Sequence, residues 1–113
     1  MDCIFCKIVD GSIPSDIVYQ DDHVLAFRDL NPHAPHHILI IPRTHVATLN
    51  DFTESDAPLI GHLSLAAAKI AKQLQVDEQG YRIVTNCNAG AGQTVFHVHM
   101  HFLAGRSLSW PPG

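Results

Sequence analysis

The sequence predicts one compact domain of mixed helix and strand, with short strands on either side of a single long helix. Three observations carry this. The chain has 113 residues, the size of one domain. Hydrophobic residues make up 46% of it and charged residues 16%, a balance that suits a buried core and not disorder. Apolar residues recur at helical spacing in one stretch, and as short runs between turn residues in the others. No repeat, low-complexity segment or linker breaks the pattern, so a single domain, 1–113, is expected.

Taken in order, Ile4–Val9 reads as a short helical segment, stopped by Asp10-Gly11 and Pro14. Ile17–Gln20 and Val24–Arg28 read as strands joined by the turn Asp21-Asp22-His23. Asn31-Pro32 and Pro35 mark a loop, and 37–41 is a buried strand ended by Pro42. The long helix is expected over 56–75, where Ile60, Leu63, Ala67, Ile70 and Leu74 line one face. Proline fits only the first turn of a helix, so Pro58 points to Ser55 or Asp56 as the cap. Ala66, Ala67, Ala68 and Ala71 keep this helix slim, which suits close packing on a sheet or on a second copy. Residues 81–87 are the next strand, 88–93 a turn between adjacent strands, and 94–103 the last strand. The tail Ser109-Trp110-Pro111-Pro112-Gly113 excludes helix. Trp110 has no apolar neighbour in sequence and is expected to dock elsewhere, for example on a second subunit.

Charge excludes some partners. A formal charge of -4 offers no footprint for a nucleic-acid polymer or an acidic membrane, but leaves room for a small nucleotide. There is no basic-then-apolar leader and no apolar run near the ~20 residues of a membrane span, so the cytoplasm is the expected location. The three cysteines do not suggest a disulfide framework. Cys3 and Cys6 form a Cys-x-x-Cys, which in a reducing compartment points to metal or redox chemistry; Cys87 is expected to be a packed, reduced thiol.

The unusual part of the composition is histidine: nine, against seven lysines and arginines together. Three fall in His97-Val98-His99-Met100-His101-Phe102-Leu103, alternating with apolar residues. That period places Val98, Met100 and Phe102 on a core face and the three imidazoles on the other. In a regular strand neighbouring imidazoles stand about 7 Å apart and the outer two about 13 Å, too far for all three to hold one ion. Two histidines at i and i+2 can chelate zinc; a row of three also suits divided labour, in which one ring reacts and its neighbours serve it. Neutral imidazole is a good nucleophile and proton carrier near pH 7. His99, with a helper on each side, is the natural nucleophile, and His101 and His37 are candidates to contact phosphate oxygens or pass a proton. Gly90 and Gly92 allow close backbone approach to an anion, and Gln93 and Thr94 add side-chain donors. Asp29 suits the hydroxyls of a ribose, with Phe27 and Leu30 on either side of a base; it equally suits a cap on the turn into Asn31-Pro32.

The histidine run resembles the signature of the histidine triad (HIT) family. The likeness extends from Ile4-Phe5-Cys6-Lys7-Ile8 through Ile13-Pro14 and Ala34-Pro35-His36-His37 to the end of the chain. Asn86, Gly92-Gln93-Thr94-Val95 and Trp110-Pro111-Pro112-Gly113 resemble the Hint branch, the histidine triad nucleotide-binding proteins. The resemblance implies an α+β fold: an antiparallel sheet with one long helix and a short N-terminal helix, the sheets of two copies joined in a homodimer. It implies hydrolysis of purine nucleoside phosphoramidates such as AMP linked through nitrogen to an amine, with a nucleotidyl-histidine intermediate on His99. By resemblance His101 and His37 assist at the phosphate, Asn86, Gln93 and Thr94 stand on the phosphate side, and Asp29 stands at the ribose. Thr94 replaces the serine of many relatives and keeps the hydroxyl. Trp110 would reach toward the partner's site. Some bacterial-type members hold a structural zinc ion, for which Cys3, Cys6, His45 and His97 match. No organic cofactor is implied. A dinucleoside polyphosphate hydrolase and a nucleotide-binding regulatory or scaffold protein with weak catalysis are the alternatives; the Trp-Pro-Pro-Gly ending speaks against the first. His23, His33, His36 and His62 receive no role, and His36 falls on the strand face opposite His37.

Overall fold

The computed structural model describes residues 3–113. Its elements are α1 (Ile4–Val9), β1 (Ile17–Gln20), β2 (Val24–Arg28), β3 (His36–Pro42), α2 (Ala57–Gln73), β4 (Tyr81–Val84) and β5 (Met100–Ala104), with short 3-10 turns at Leu49–Asp51, Glu54–Asp56 and Ala89–Ala91. The strands form one sheet in the order β1-β2-β3-β5-β4, and every neighbouring pair is antiparallel. The α+β architecture expected from the sequence is therefore present.

Strands β2 and β3 are buried on both faces, and alternation along them sorts two cores. Val24 and Ala26 of β2, Ile38 and Ile40 of β3, and Phe102 and Ala104 of β5 share a cluster with Leu63, Ala66, Ala67, Ile70 and Ala71 of α2. The alternate residues, Leu25, Phe27, Leu39 and Ile41, pack with Cys3, Phe5 and Ile8 from α1 and its cap. The sheet thus has α2 on one face and α1 on the other. His37 and His101 lie on the α1 face, because His37 and Leu39 share a face of β3 and His101 pairs with Leu39, and the His99 ring meets Phe5 of α1 on the same face.

The long helix starts and stops for local reasons. Asp56 stands at its N-cap, yet its carboxylate turns back to accept from the Thr53 N–H at 2.8 Å. At the other end Gln75 takes φ 58°, and the N–H groups of Gln75 and Val76 bond the Lys72 and Ala71 carbonyls at 3.1 and 2.9 Å. This is a Schellman stop, with buried Val76 packed in the core as its apolar contact. The helix therefore spans Ala57–Gln73 and not 56–75.

Two further expectations need correction. The strand over 81–87 stops at Val84, and the strand over 94–103 begins only at Met100. Between them the chain is irregular apart from the turn at Ala89–Ala91, so 88–93 is not a tight hairpin turn. The physical reason is a change of partner. The Val98 N–H donates to the Val46 carbonyl, and the Gln93 side chain donates to the carbonyls of Ala47 and Val95 at 2.8 and 3.0 Å. These bonds tie the segment to the stretch after β3 and take it out of the ladder. Among the described residues no helix is long and apolar enough to cross a membrane.

Phe102 is fully buried and stacks on Tyr81 with ring centroids 5.0 Å apart. Phe102→Ala is expected to cost about 3–5 kcal/mol of stability, read from urea denaturation.

Candidate active site

His97 and His99 stand just before β5, and His101 is its second residue. Because 94–99 is irregular, the three rings do not share one strand face as the alternation suggested. His99 and His101 approach to 5.1 Å between centroids, closer than two positions along a flat strand. His97 turns instead toward the N-terminus.

Backbone groups decide where each ring holds its proton. The Nδ1 of His99 lies 2.8 Å from the His97 carbonyl. A carbonyl only accepts, so Nδ1 carries the hydrogen and Nε2 keeps a lone pair. Nε2 of His97 lies 2.8 Å from the Pro42 carbonyl, so its lone pair is on Nδ1. The His33 N–H donates to Nδ1 of His37 at 3.1 Å, which puts the His37 proton on Nε2. That Nε2 is 2.9 Å from Nδ1 of His101, which accepts, so the His101 proton sits on its own Nε2. Burial pushes His37 and His97 below the usual histidine value, and the Asp29 carboxylate only partly offsets this at His37. His101 is pushed down to about 4, by burial first and then by the His99 and His37 rings. These three rings are therefore neutral at pH 7, as the hydrogen-bond chain requires.

A cavity of about 310 Å³ opens beside them. It is lined by His99 and His101, by Asp29, Leu30, Thr94 and Val95, and by apolar side chains that include Phe27, Leu39, Ile8 and Ile13. Its size suits a small organic ligand. Phe27 forms a buried wall, whereas Leu30 at the rim is 100% exposed. Asp29 accepts from the Asn31 N–H at 2.8 Å, the turn cap that its sequence context allowed. Its other oxygen lies 3.4 Å from Nε2 of His37.

Some expected residues stand outside this lining. His37 reaches the cavity only through its bond to His101, and Asn86, Gly92 and Gln93 are not among its lining residues. Gln93 does not offer a free side-chain donor. It is buried, its amide donates to Ala47 and Val95, and its oxygen accepts from Asn88 N–H at 2.8 Å, so it holds the loop together. Gly92 is needed for its φ of 98°. Trp110 is 81% exposed on the tail and lines no part of the cavity. Sequence reasoning assigned no role to Phe5, whose ring meets His99 edge-on at 5.2 Å, His97 at 5.9 Å and Phe27 at 5.5 Å. Its place beside Cys6 on an amphipathic turn was the available signal.

Cys3, Cys6, His45 and His97 converge with their donor atoms within 4.8 Å of one another, and this cluster can hold a metal ion. Nδ1 of His97 lies 3.3 Å from the Cys3 sulfur, 3.5 Å from the Cys6 sulfur and 3.2 Å from Nδ1 of His45. Nδ1 of His45 lies 3.3 Å from the Cys6 sulfur. A tetrahedral ion with typical N and S bond lengths spaces its N–S pairs about 3.5 Å apart and its N–N pair about 3.3 Å, so the donors fit. The His97 lone pair already faces the cluster because Nε2 is bonded to Pro42, as a ligating histidine requires. Asp29, His37 and His101 also gather closely, but here the chemistry differs. An ion on Nε2 of His37 would force the proton onto Nδ1, against the His33 N–H, so this trio is a hydrogen-bonded relay.

Comparison with known proteins follows the same lines. Residues 10–108 match the model of the HIT domain. The chain is 53% identical to an uncharacterised HIT-like protein of Synechococcus elongatus, over 99% of this chain and 97% of that one. It is 52% identical to a purine nucleoside phosphoramidase of Escherichia coli K12, over 93% of this chain and 88% of that one. Among solved structures, a HIT family hydrolase from Legionella pneumophila superposes with TM-score 0.97 at 48% identity, covering 99% of this chain and all of that chain.

Stability should follow the neutral rings. Unfolding returns His37 and His101 to the ordinary value of 6.5, so the unfolded chain binds more protons in the window between that value and the folded ones, about 4 for His101. Stability is expected to be full above this window and to fall as pH drops through it. A series of Tm measurements from about pH 7.5 to 4.5 checks the sign, and His101→Gln is expected to flatten the slope.

Proposed function

Because the chain belongs to the HIT domain family, we propose that it is a hydrolase of purine nucleoside phosphoramidates, releasing AMP or GMP from a nitrogen-linked amine. The observation that carries the reading is the His99 ring, with Nδ1–H on the His97 carbonyl and a lone pair left on Nε2 at the cavity. The similarity to a protein named purine nucleoside phosphoramidase supports the substrate class.

In the first step the lone pair of His99 Nε2 forms a bond to phosphorus as the bond to the amine nitrogen breaks. The positive charge on the ring rests beside the His97 carbonyl. The Nε2–H of His101 donates a hydrogen bond to a phosphate oxygen, and the amine leaves with a proton taken from the solvent. In the second step water displaces His99 from the nucleotidyl-histidine and its proton passes to the solvent. Both rings end as they began. Thr94 donates to the phosphate, Asn86 stands on the phosphate side, and Gly92 and Gln93 act by holding the loop. Asp29 accepts from the ribose with the capacity its turn leaves over, and Phe27 and Leu30 flank the purine.

The ion we propose for the thiol–imidazole cluster is Zn²⁺. Two thiolates and two imidazoles make a closed set, which is structural in role. It would stabilise the placement of His97, and through the His97 carbonyl that of His99. Such thiol ligation suits a reducing compartment, the cytoplasm in our reading. We also assign a homodimer. β4 is an edge strand whose unpaired backbone groups a second copy would satisfy, and Leu65 on α2 (58% exposed) and Trp110 (81%) leave apolar surface for a partner.

Two experiments test this. AMP release from adenosine 5′-phosphoramidate should fall at least about 1,000-fold in His99→Ala while AMP binding persists. Wild-type turnover in that variant would reject the mechanism. Elemental analysis should find one zinc per chain, lost in Cys6→Ser; metal-free wild type purified without chelators would reject the zinc.

A further inference from the structure

The loop before β3 is gripped by the turn after β5, and we infer that Arg106 is a positioning residue for the His37–His101 pair, acting through the backbone of His33. The kinetic part of this inference rests on the hydrolysis proposed above; the structural part does not.

His33 sits between Pro32 and Pro35, in a stretch with little backbone freedom of its own. Its two main-chain groups point to two partners. The N–H donates to Nδ1 of His37 at 3.1 Å, and the C=O accepts from Nε of Arg106 at 2.8 Å. The guanidinium is steadied in turn by a 2.9 Å bond from Nη1 to the Ser107 carbonyl. A second contact joins the same two segments. Gly105 has φ 97°, and a Cβ there would come within 2.8 Å of the Pro35 side chain. Only glycine lets the turn approach this closely. Because His36 pairs with Ala104, the loop and the turn continue from one end of the β3–β5 ladder, and the clamp closes that end.

The clamp matters because the His33 N–H is the donor that fixes Nδ1 of His37 as an acceptor. Asp29, 3.4 Å from Nε2, favours a proton on Nε2 but is exposed enough to be lost to a bound ribose. Without the His33 donor, the His37 proton can sit on Nδ1. Its Nε2 would then face His101 as a lone pair, and His101 would hold its proton on Nδ1 to match. That leaves Nε2 of His101 with no hydrogen to donate to a phosphate oxygen. Arg106 lines no part of the nucleotide cavity, so the loss falls on turnover and not on binding.

The test compares wild type, Arg106→Ala, Arg106→Lys and Gly105→Ala by imidazole ¹⁵N–¹H correlation spectra and by steady-state kinetics on AMP linked to an alkylamine. In wild type His37 and His101 should each carry the proton on Nε2 alone. Arg106→Ala and Gly105→Ala should give mixed tautomers at both rings, with His99 unchanged because its carbonyl partner is untouched. In Arg106→Ala kcat should fall about 10-fold with KM within about twofold, and Arg106→Lys, which keeps a donor, should restore most of both readouts. Wild-type tautomers in Arg106→Ala, or shifted tautomers with unchanged kcat, would overturn the inference. If wild type itself releases no AMP, the functional reading fails, and the spectra alone decide whether the clamp sets the tautomers.

Discussion

The hydrogen bond between His97 Nε2 and the Pro42 carbonyl is fully buried and 2.8 Å long, and both chemical centres are oriented from it. With one ring nitrogen committed to the end of β3, the other faces the thiols of Cys3 and Cys6. The carbonyl of the same residue then receives Nδ1–H of His99. One residue therefore passes orientation from the sheet to a metal-competent cluster and to the ring beside the cavity. Turning the His97 ring would leave a buried donor and a buried acceptor unpaired, each at about 1–3 kcal/mol, so the arrangement is stiff. It is also dry, which keeps the rings neutral.

The fold supplies what this arrangement needs by treating the two faces of the sheet differently. On one face α2 contributes small and aliphatic side chains to the core, and its polar bonds, such as Gln73 to the Val18 carbonyl, fall at the β1 edge. On the other, α1 brings a cysteine cap, a phenylalanine and a second cysteine against the same strands that carry His37 and Leu39. The segment before β5 leaves the ladder, which lets His97 and His99 address different neighbours although they are only two positions apart. A regular strand would have aimed both at the same layer.

Much of this was legible in the sequence. The bounds of α1, β1 and β2 follow from turn residues and short apolar runs, and α2 from its 3.6 period. The histidine run misled in one respect. Alternation of His with Val, Met and Phe has strand period, yet of the three only His101 lies in a strand; a ten-residue strand had no partner of that length, since its neighbours β3 and β4 have seven and four residues. Periodicity reports burial on alternate sides and not hydrogen-bond partners, and here those partners come from residues 42–47. The same blindness hid the role of Gln93, because nothing in composition tells a ligand-facing amide from one that supports a loop. The four-residue thiol and imidazole cluster was visible only through family resemblance.

The bond between Cys3 and His97 spans 94 positions of sequence. Contacts of such separation carry the largest loop-closure entropy, so they form late, after the sheet and helices have shortened the path between their ends. During synthesis the N-terminal thiols emerge long before the imidazole that completes their set. A nascent chain therefore passes through a state with α1 and β1 to β3 available and no means to orient His99. Assembly of the reactive centre is thereby deferred until nearly the whole domain has left the ribosome, and a truncated product is inert as well as incomplete.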